Sequence, residues 1–170
     1  MIKYSCFFVS LFTLVLFTSC SKDRTVSGFD AELFAKAQKT DGFVYYNLST
    51  EYLKSPKQAG HKSVYIRTKY NDVASTILDE KGLIISGAVF PDGSLIVNEM
   101  SSTKGTAEKF AIMLKDPKNE FADKNGWVWS YLNADKTIIE PASRKGVSCI
   151  ECHSASGNNT LMSFYFQGVK

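Results

Sequence analysis

Residues 149–153 read Cys149-Ile150-Glu151-Cys152-His153, near the C-terminal end of a 170-residue chain. No other run constrains the chain as much. Two thiols three residues apart reach the two vinyl groups on one porphyrin edge, and the adjacent imidazole can fold under the ring to the iron. Cys-x-x-Cys-His is for this reason the attachment signature of c-type haem, and histidine is the usual protein ligand of haem iron. The spacing predicts one covalently bound haem c, with Cys149 and Cys152 as thioether anchors and His153 as axial ligand. Three rivals explain less. A zinc site needs four ligands, and contiguous Cys152-His153 is poor geometry for one tetrahedral ion. A thioredoxin-type redox pair wants a βαβ surround, which this segment lacks. A disulfide between Cys149 and Cys152 closes a very small loop and leaves His153 without a role.

The chain has four cysteines, and the other two belong to the opposite end. Lys3 precedes an apolar run from Phe7 to Phe17. A membrane-spanning helix needs about 20 apolar residues, whereas this run has the length and flanks of a secretory signal. It ends Leu16-Phe17-Thr18-Ser19-Cys20, which resembles a bacterial lipobox. Residues 1–19 are read as a lipoprotein signal peptide that removes Cys6. Cys20 is the lipidation site, residues 20–29 a lipidated tether, and residues 30–170 a single haem domain. A plain signal peptide cut nearby and an uncleaved anchor are the alternatives. Ser21 after the cysteine, rather than Asp, favours the outer membrane, with the domain facing the periplasm. Export agrees with the haem motif, because c-type haem is attached outside the cytoplasm. At 44% hydrophobic and 22% charged the chain can bury a core as one domain. Its net charge of +3 gives no electrostatic case for nucleic acid.

The residues before the motif predict an α+β domain, mainly an antiparallel sheet with a few short helices and a C-terminal haem-attachment loop. Asp30 to Lys39 has helical spacing, with Leu33, Phe34 and Ala37 inward. Strand alternation marks 62–67. Asn71 or Asp72 can cap a short helix through Val73, Ile77 and Leu78 that Gly82 stops. Leu83 to Val89 and Ser94 to Met100 read as two strands joined by the turn Phe90-Pro91-Asp92-Gly93. Further strands are predicted at 109–114, 127–132 and 137–140.

These features together resemble the cytochrome P-460 family, which includes the cytochromes c′-beta. The residues that carry the resemblance are the Tyr65 strand with Asn71-Asp72-Val73-Ala74, the segment from Phe90 through Gly93 to Glu99, Gly126-Trp127-Val128-Trp129, and Gly146-Val147-Ser148 ahead of the haem motif. An aromatic tail, Phe164-Tyr165-Phe166, follows. The resemblance covers residues 30–168. It implies a mainly antiparallel β fold, usually a homodimer, with one high-spin haem open on its distal face. Members like cytochrome P-460 carry a lysine cross-linked to the porphyrin and oxidise hydroxylamine. Members like cytochrome c′-beta lack it and bind nitric oxide or carbon monoxide in an apolar pocket. Where many members read Val-Lys-Glu, this chain has Val97-Asn98-Glu99. Lys81 is a candidate for the cross-link, against a plain role at a solvated helix end.

The second face of the iron is expected to carry no protein ligand. Met162 lies only nine residues past the motif. Met100 and Met113 sit in strand-like runs, where methionine commonly fills a core, and His61 lies in a sequence that reads as a solvated turn. Glu99 is the acid to test in a distal pocket, against a charge on the wet face of the sheet. Phe90, Phe110 and Met113 are possible pocket walls, with core packing as the competing role. Arg144 and Lys145 could pair with haem propionates or lie in a solvated loop. Trp127, Trp129 and Tyr131 share one strand face, as core or dimer surface. Three function classes remain open. They are a haem protein that binds a small ligand such as nitric oxide, an enzyme that oxidises hydroxylamine or a similar nitrogen compound, and an electron carrier serving a redox partner protein.

Overall fold

The computed structural model describes residues 25–55 and 60–154. The signal segment, Cys6, Cys20, Met162 and the aromatic tail lie outside the described residues. Strands β1 (Val44–Tyr45), β2 (Leu53–Lys54), β3 (Tyr65–Tyr70), β4 (Leu95–Ser101), β5 (Lys109–Lys115), β6 (Trp127–Asn133) and β7 (Ile138–Glu140) form one sheet. Its order is β1-β3-β4-β5-β6-β7, with β2 also on β3, and every pairing is antiparallel. Helix α1 (Gly28–Gln38) precedes the sheet, α2 (Asp72–Ser75) follows β3, and α3 (Ile150–Ser154) follows β7. The α+β class expected from the sequence is therefore present.

Strand alternation divides the core in two. On one face Leu95 and Val97 of β4, Phe110 and Ile112 of β5, and Val128 and Leu132 of β6 pack against Leu33, Phe34 and Ala37 of α1. Phe34 meets Phe110 edge to face at 5.7 Å. On the other face Ile96, Met113, Trp127 and Trp129 pack with Tyr70, Ala74 and Phe90, and Cys149 and Ile150 close over them. Covered on both sides, β4 is buried at every residue. Phe110 therefore serves the α1 core rather than a wall on the other side. Asp30 ties α1 to the sheet and to the chain after β7. Its Oδ1 accepts from Ser130 Oγ at 2.6 Å and from the Ala142 amide at 2.9 Å, so α1 fixes the chain that leads into the haem motif.

Several elements depart from expectation. The strand expected at 62–67 begins at Tyr65 and runs to Tyr70. The helix capped by Asn71 Oδ1, which accepts the Ala74 amide at 2.9 Å, is only four residues long. The same Oδ1 accepts the Leu95 amide, and Asn71 Nδ2 donates to the Gly93 carbonyl, so this cap joins the end of β3 to the start of β4. Leu83 to Val89 is not a strand. It folds back through a single bridge between Leu78 and Ile84. The reason is topological: β4 spends one edge on β3 and the other on β5, so no partner edge is left. Ile85 and Val89 are exposed in consequence. Thr25 bridges Thr137 and α1 starts at Gly28, both within the 20–29 segment read as a tether.

Candidate functional site

The haem motif is placed by a tight approach. Chain leaving β7 passes a 3₁₀ turn at Ala142–Arg144, then Lys145 and Gly146, both at positive φ. Gly146 has φ +68, and a β-carbon there would lie 2.3 Å from Trp129 Cδ1. Only glycine combines that backbone conformation with that closeness. The Gly146 carbonyl then accepts the Cys149 and Ile150 amides at 2.8 and 2.9 Å, and the Cys149 carbonyl accepts the His153 amide at 3.1 Å. The motif is thus a short helix rather than an open loop, with both thiols free. Cys149 is half-buried and Cys152 exposed. Burial, with the Glu140 carboxylate and the Cys152 thiol adding to it, pushes the Cys149 thiol up to about 11.

His153 stands edge-on over Trp129, ring centres 4.8 Å apart. Trp129 is itself pinned, its Nε1 donating to Asp123 Oδ2 at 2.9 Å. Asp123 Oδ1 accepts the Asn125 and Trp127 amides. Beside His153 a cleft opens over the sheet, partly open to solvent. Its floor is Ile96 and Asn98 of β4, Ala111 and Met113 of β5, and Trp129 and Tyr131 of β6, and Cys149, His153 and His61 form its sides. Among the described residues lining it there is no Asp, Glu, Lys or Arg.

The sequence-derived candidates fall unevenly around this cleft. Cys149 and His153 line it, and Cys152 lies on the same helix. Trp129, Tyr131 and Met113 are in its floor, while Trp127 and Phe90 are core behind it, 5.8 Å apart. Met100 is fully buried, its sulfur accepting from Tyr131 Oη at 3.7 Å. Glu99 is neither in the cleft nor on a wet face. It is buried on the α1 side, where Lys69 Nζ approaches Oε1 at 2.6 Å and Arg67 reaches Oε2 at 2.6 Å. Its neighbour Asn98, one residue back, takes the cleft side. Lys81 is exposed in a turn whose amides bond Asp79 Oδ1, and it does not line the cleft. Arg144 is mostly exposed, 3.1 Å from Glu140 Oε1, and Lys145 is exposed.

His61 is the main correction. Read as part of a solvated turn, it is instead packed inward, edge to face with Tyr131 at 5.4 Å, and its ring centre lies 6.3 Å from that of His153. Burial holds it below the ordinary histidine range. The signal available in the sequence was simply number: the chain has two histidines, and both line one cleft.

These residues fit a haem. Two free thiols, Cys149 just ahead of α3 and Cys152 on it, suit attachment, an imidazole beside them suits iron, and a mainly apolar floor with one open side suits a flat ring with a charged edge. An antiparallel sheet carrying this donor set at one face defines a haem-binding α+β protein. The family model for cytochrome P460 matches residues 40–162. The chain belongs to the cytochrome P460 family, as its motifs suggested, and is a haem-binding cytochrome. No curated protein matches it.

Proposed function

We propose that this chain is an exported monohaem c-type cytochrome that binds a small neutral ligand such as nitric oxide or carbon monoxide. Cys149 and Cys152 would hold the haem by two thioethers, and His153 would offer its imidazole to the iron. When bound, the haem supplies an iron able to coordinate a diatomic molecule. The chain supplies the rest. Trp129, held by Asp123, fixes the orientation of the His153 ring, as outer partners do for other metal-bound histidines. Gly146 lets the attachment helix settle on that indole. Ile96, Ala111 and Met113 keep the cleft apolar.

The observation that carries this reading is that the described residues of the cleft wall include no Asp, Glu, Lys or Arg. Oxidation of hydroxylamine releases protons that a positioned base must accept, and the carboxylate expected to do so, Glu99, faces the other side of the sheet with its charge already neutralised. The position read as lysine in many relatives is Asn98, and Lys81 does not line the cleft, which argues against a lysine cross-link. Upstream, the signal-like residues 1–19 and Cys20 support export and lipid anchoring, with the outer membrane favoured.

The test is the full chain matured in a host that attaches c-type haem. Its mass should carry one haem that the double variant Cys149→Ala/Cys152→Ala loses. The ferrous spectrum should shift on titration with nitric oxide and with carbon monoxide, and hydroxylamine should not be consumed. The protein should fractionate with membranes. A mass without haem, a spectrum unmoved by either gas, or steady hydroxylamine turnover would overturn the reading; wholly soluble protein would remove the anchor.

A further inference from the structure

We infer that Asn98 sets the choice between gases, its amide Nδ2 donating a hydrogen bond to the outer atom of a diatomic ligand held in the cleft and favouring nitric oxide over carbon monoxide. The inference rests on the ligand-binding reading above and deepens it by naming a side chain that touches the ligand.

The cleft floor is built from two rows of side chains on one face of the sheet. Cross-strand register sets Ile96, Met113 and Trp129 side by side in the first. The second, two residues along each strand, runs Thr68, Asn98, Ala111, Tyr131. The first row is apolar and aromatic. The second carries an amide and a phenol on either side of Ala111, whose methyl is too short to cover them. Asn98 is its odd member. Asparagine is depleted in strands, yet this one stands in mid-strand, 6% exposed, in the cleft lining. Thr68 Oγ1 donates to its Oδ1 at 3.4 Å, so the carbonyl end of the amide is spent on β3. Among the described residues nothing accepts from Nδ2. Burying an amide without a partner costs free energy, and buried polar groups in folded proteins are nearly always paired. A donor kept in a mainly apolar floor therefore points to an acceptor that arrives with the ligand.

The other donors round the cleft are less well placed. Tyr131 Oη already donates to Met100 Sδ at 3.7 Å. His61 stands at the side, its ring edge to face with that phenol at 5.4 Å, whereas Asn98 belongs to the floor and is fixed by strand pairing on both edges of β4. The amide is neutral, so it adds no charge that would draw anions into the cleft. A hydrogen bond gains strength where the dielectric is low and where its acceptor carries negative charge. Nitric oxide on a ferrous centre is a better acceptor than carbon monoxide, so one fixed donor separates two gases of nearly equal size.

The experiment compares the ferrous wild-type holoprotein with Asn98→Leu, which keeps the side-chain volume and removes the donor. Covalent haem is checked by mass. The C–O stretch of the carbon monoxide complex, read by infrared spectroscopy, should move to higher frequency in the variant, because a donor on the oxygen weakens that bond in wild type. Nitric oxide should dissociate about fivefold faster, the worth of one ordinary hydrogen bond, and carbon monoxide should change less, so the preference for nitric oxide falls. An unmoved stretch with unchanged dissociation rates overturns the inference. So does a shift that appears in His61→Leu and not in Asn98→Leu, which would make the imidazole the donor. If Asn98→Leu fails to take up haem, Asn98→Thr decides by the same readings, since threonine suits a strand, can still meet Thr68 and lacks the amide donor. The two readings fail differently. A wild type that binds both gases while the Asn98 variants match it sinks only the role of Asn98. A wild type that binds neither gas sinks the ligand-binding reading, and this inference with it.

Discussion

The two faces of the sheet solve opposite problems with the same strands. On the α1 face a charge cluster is buried and closed. Glu99 takes Lys69 on one oxygen, and Arg67 and the Tyr52 hydroxyl on the other, while Lys69 Nζ also donates to Thr40 Oγ1. On the cleft face the floor is mainly apolar and aromatic, with Asn98 in it, and two imidazoles stand at its sides, His61 from the chain ahead of β3 and His153 from α3. Because successive residues of a strand alternate, β4 puts Glu99 into the first environment and Asn98 into the second. A carboxylate is thereby kept within one residue of the cleft and yet out of it. The contrast teaches that charge here stabilises the scaffold, while the described residues that line the cleft carry none of the Asp, Glu, Lys or Arg charges.

The largest break in that contrast should come from Glu99→Ala. Removing one partner of a buried ion pair typically costs about 3–5 kcal/mol, because the remaining charge stays buried uncompensated. Here Lys69, 5% exposed, and the inward part of Arg67 would be left facing each other. Chemical denaturation of the holoprotein should show a loss of that order, while the haem spectrum and carbon monoxide binding stay as in wild type. A loss below about 1 kcal/mol, or a changed spectrum, would mean that the two faces are not independent.

Gly146→Ala attacks the other face. The new methyl would sit 2.3–2.6 Å from three indole atoms of Trp129, at a φ that alanine resists. Overpacking of this kind costs about 1–3 kcal/mol, less than the loss of Glu99. Its signature should differ in kind. Pushing Trp129 moves the surface on which His153 stands, so the haem spectrum and ligand affinity should change along with stability. A variant that loses stability and keeps the wild-type spectrum would show that Trp129 does not orient His153.

Local pattern made much of this molecule readable. Leu33, Phe34 and Ala37 recur at helical spacing and do face the core. The runs at β4, β5 and β6 are rich in apolar, β-branched or aromatic residues, and the five residues of the haem motif are contiguous. What stayed hidden depends on distant packing. Leu83 to Val89 has the composition of a strand, but strand formation needs a free edge, and β3 and β5 occupy both edges of β4. Alternation separates Glu99 from Asn98, yet it does not say which side α1 covers. Glu99 consequently reads as wet when it is buried. His61 lies in a polar stretch with Gly60 and Lys62 beside it, and only its approach to α3, some ninety residues on, turns the ring inward.

The smallest effect sharpens the comparison through pH. Tyr52 donates its hydroxyl to Glu99 Oε2 at 3.1 Å. Burial first, then the Glu99 charge, push its phenol up to about 12 from an ordinary 10.0, against a partial lowering by Arg67. A group whose pKa is raised by folding stabilises the fold fully below its unfolded value and loses that contribution as pH rises through the folded value. Tyr52→Phe should therefore cost about 1 kcal/mol at neutral pH, the usual worth of one such bond. The difference from wild type should then shrink as pH climbs from 10 towards 12, where the unfolded wild-type chain ionises Tyr52 before the folded one does. Tyr70, Tyr46 and Tyr131, whose phenols burial also raises, are present in both proteins and cancel in the difference. Denaturation midpoints measured across that range check the slope. A gap that stays constant with pH would mean that the Tyr52 phenol titrates alike in both states, and that the charge cluster under α1 is less sealed than its geometry indicates.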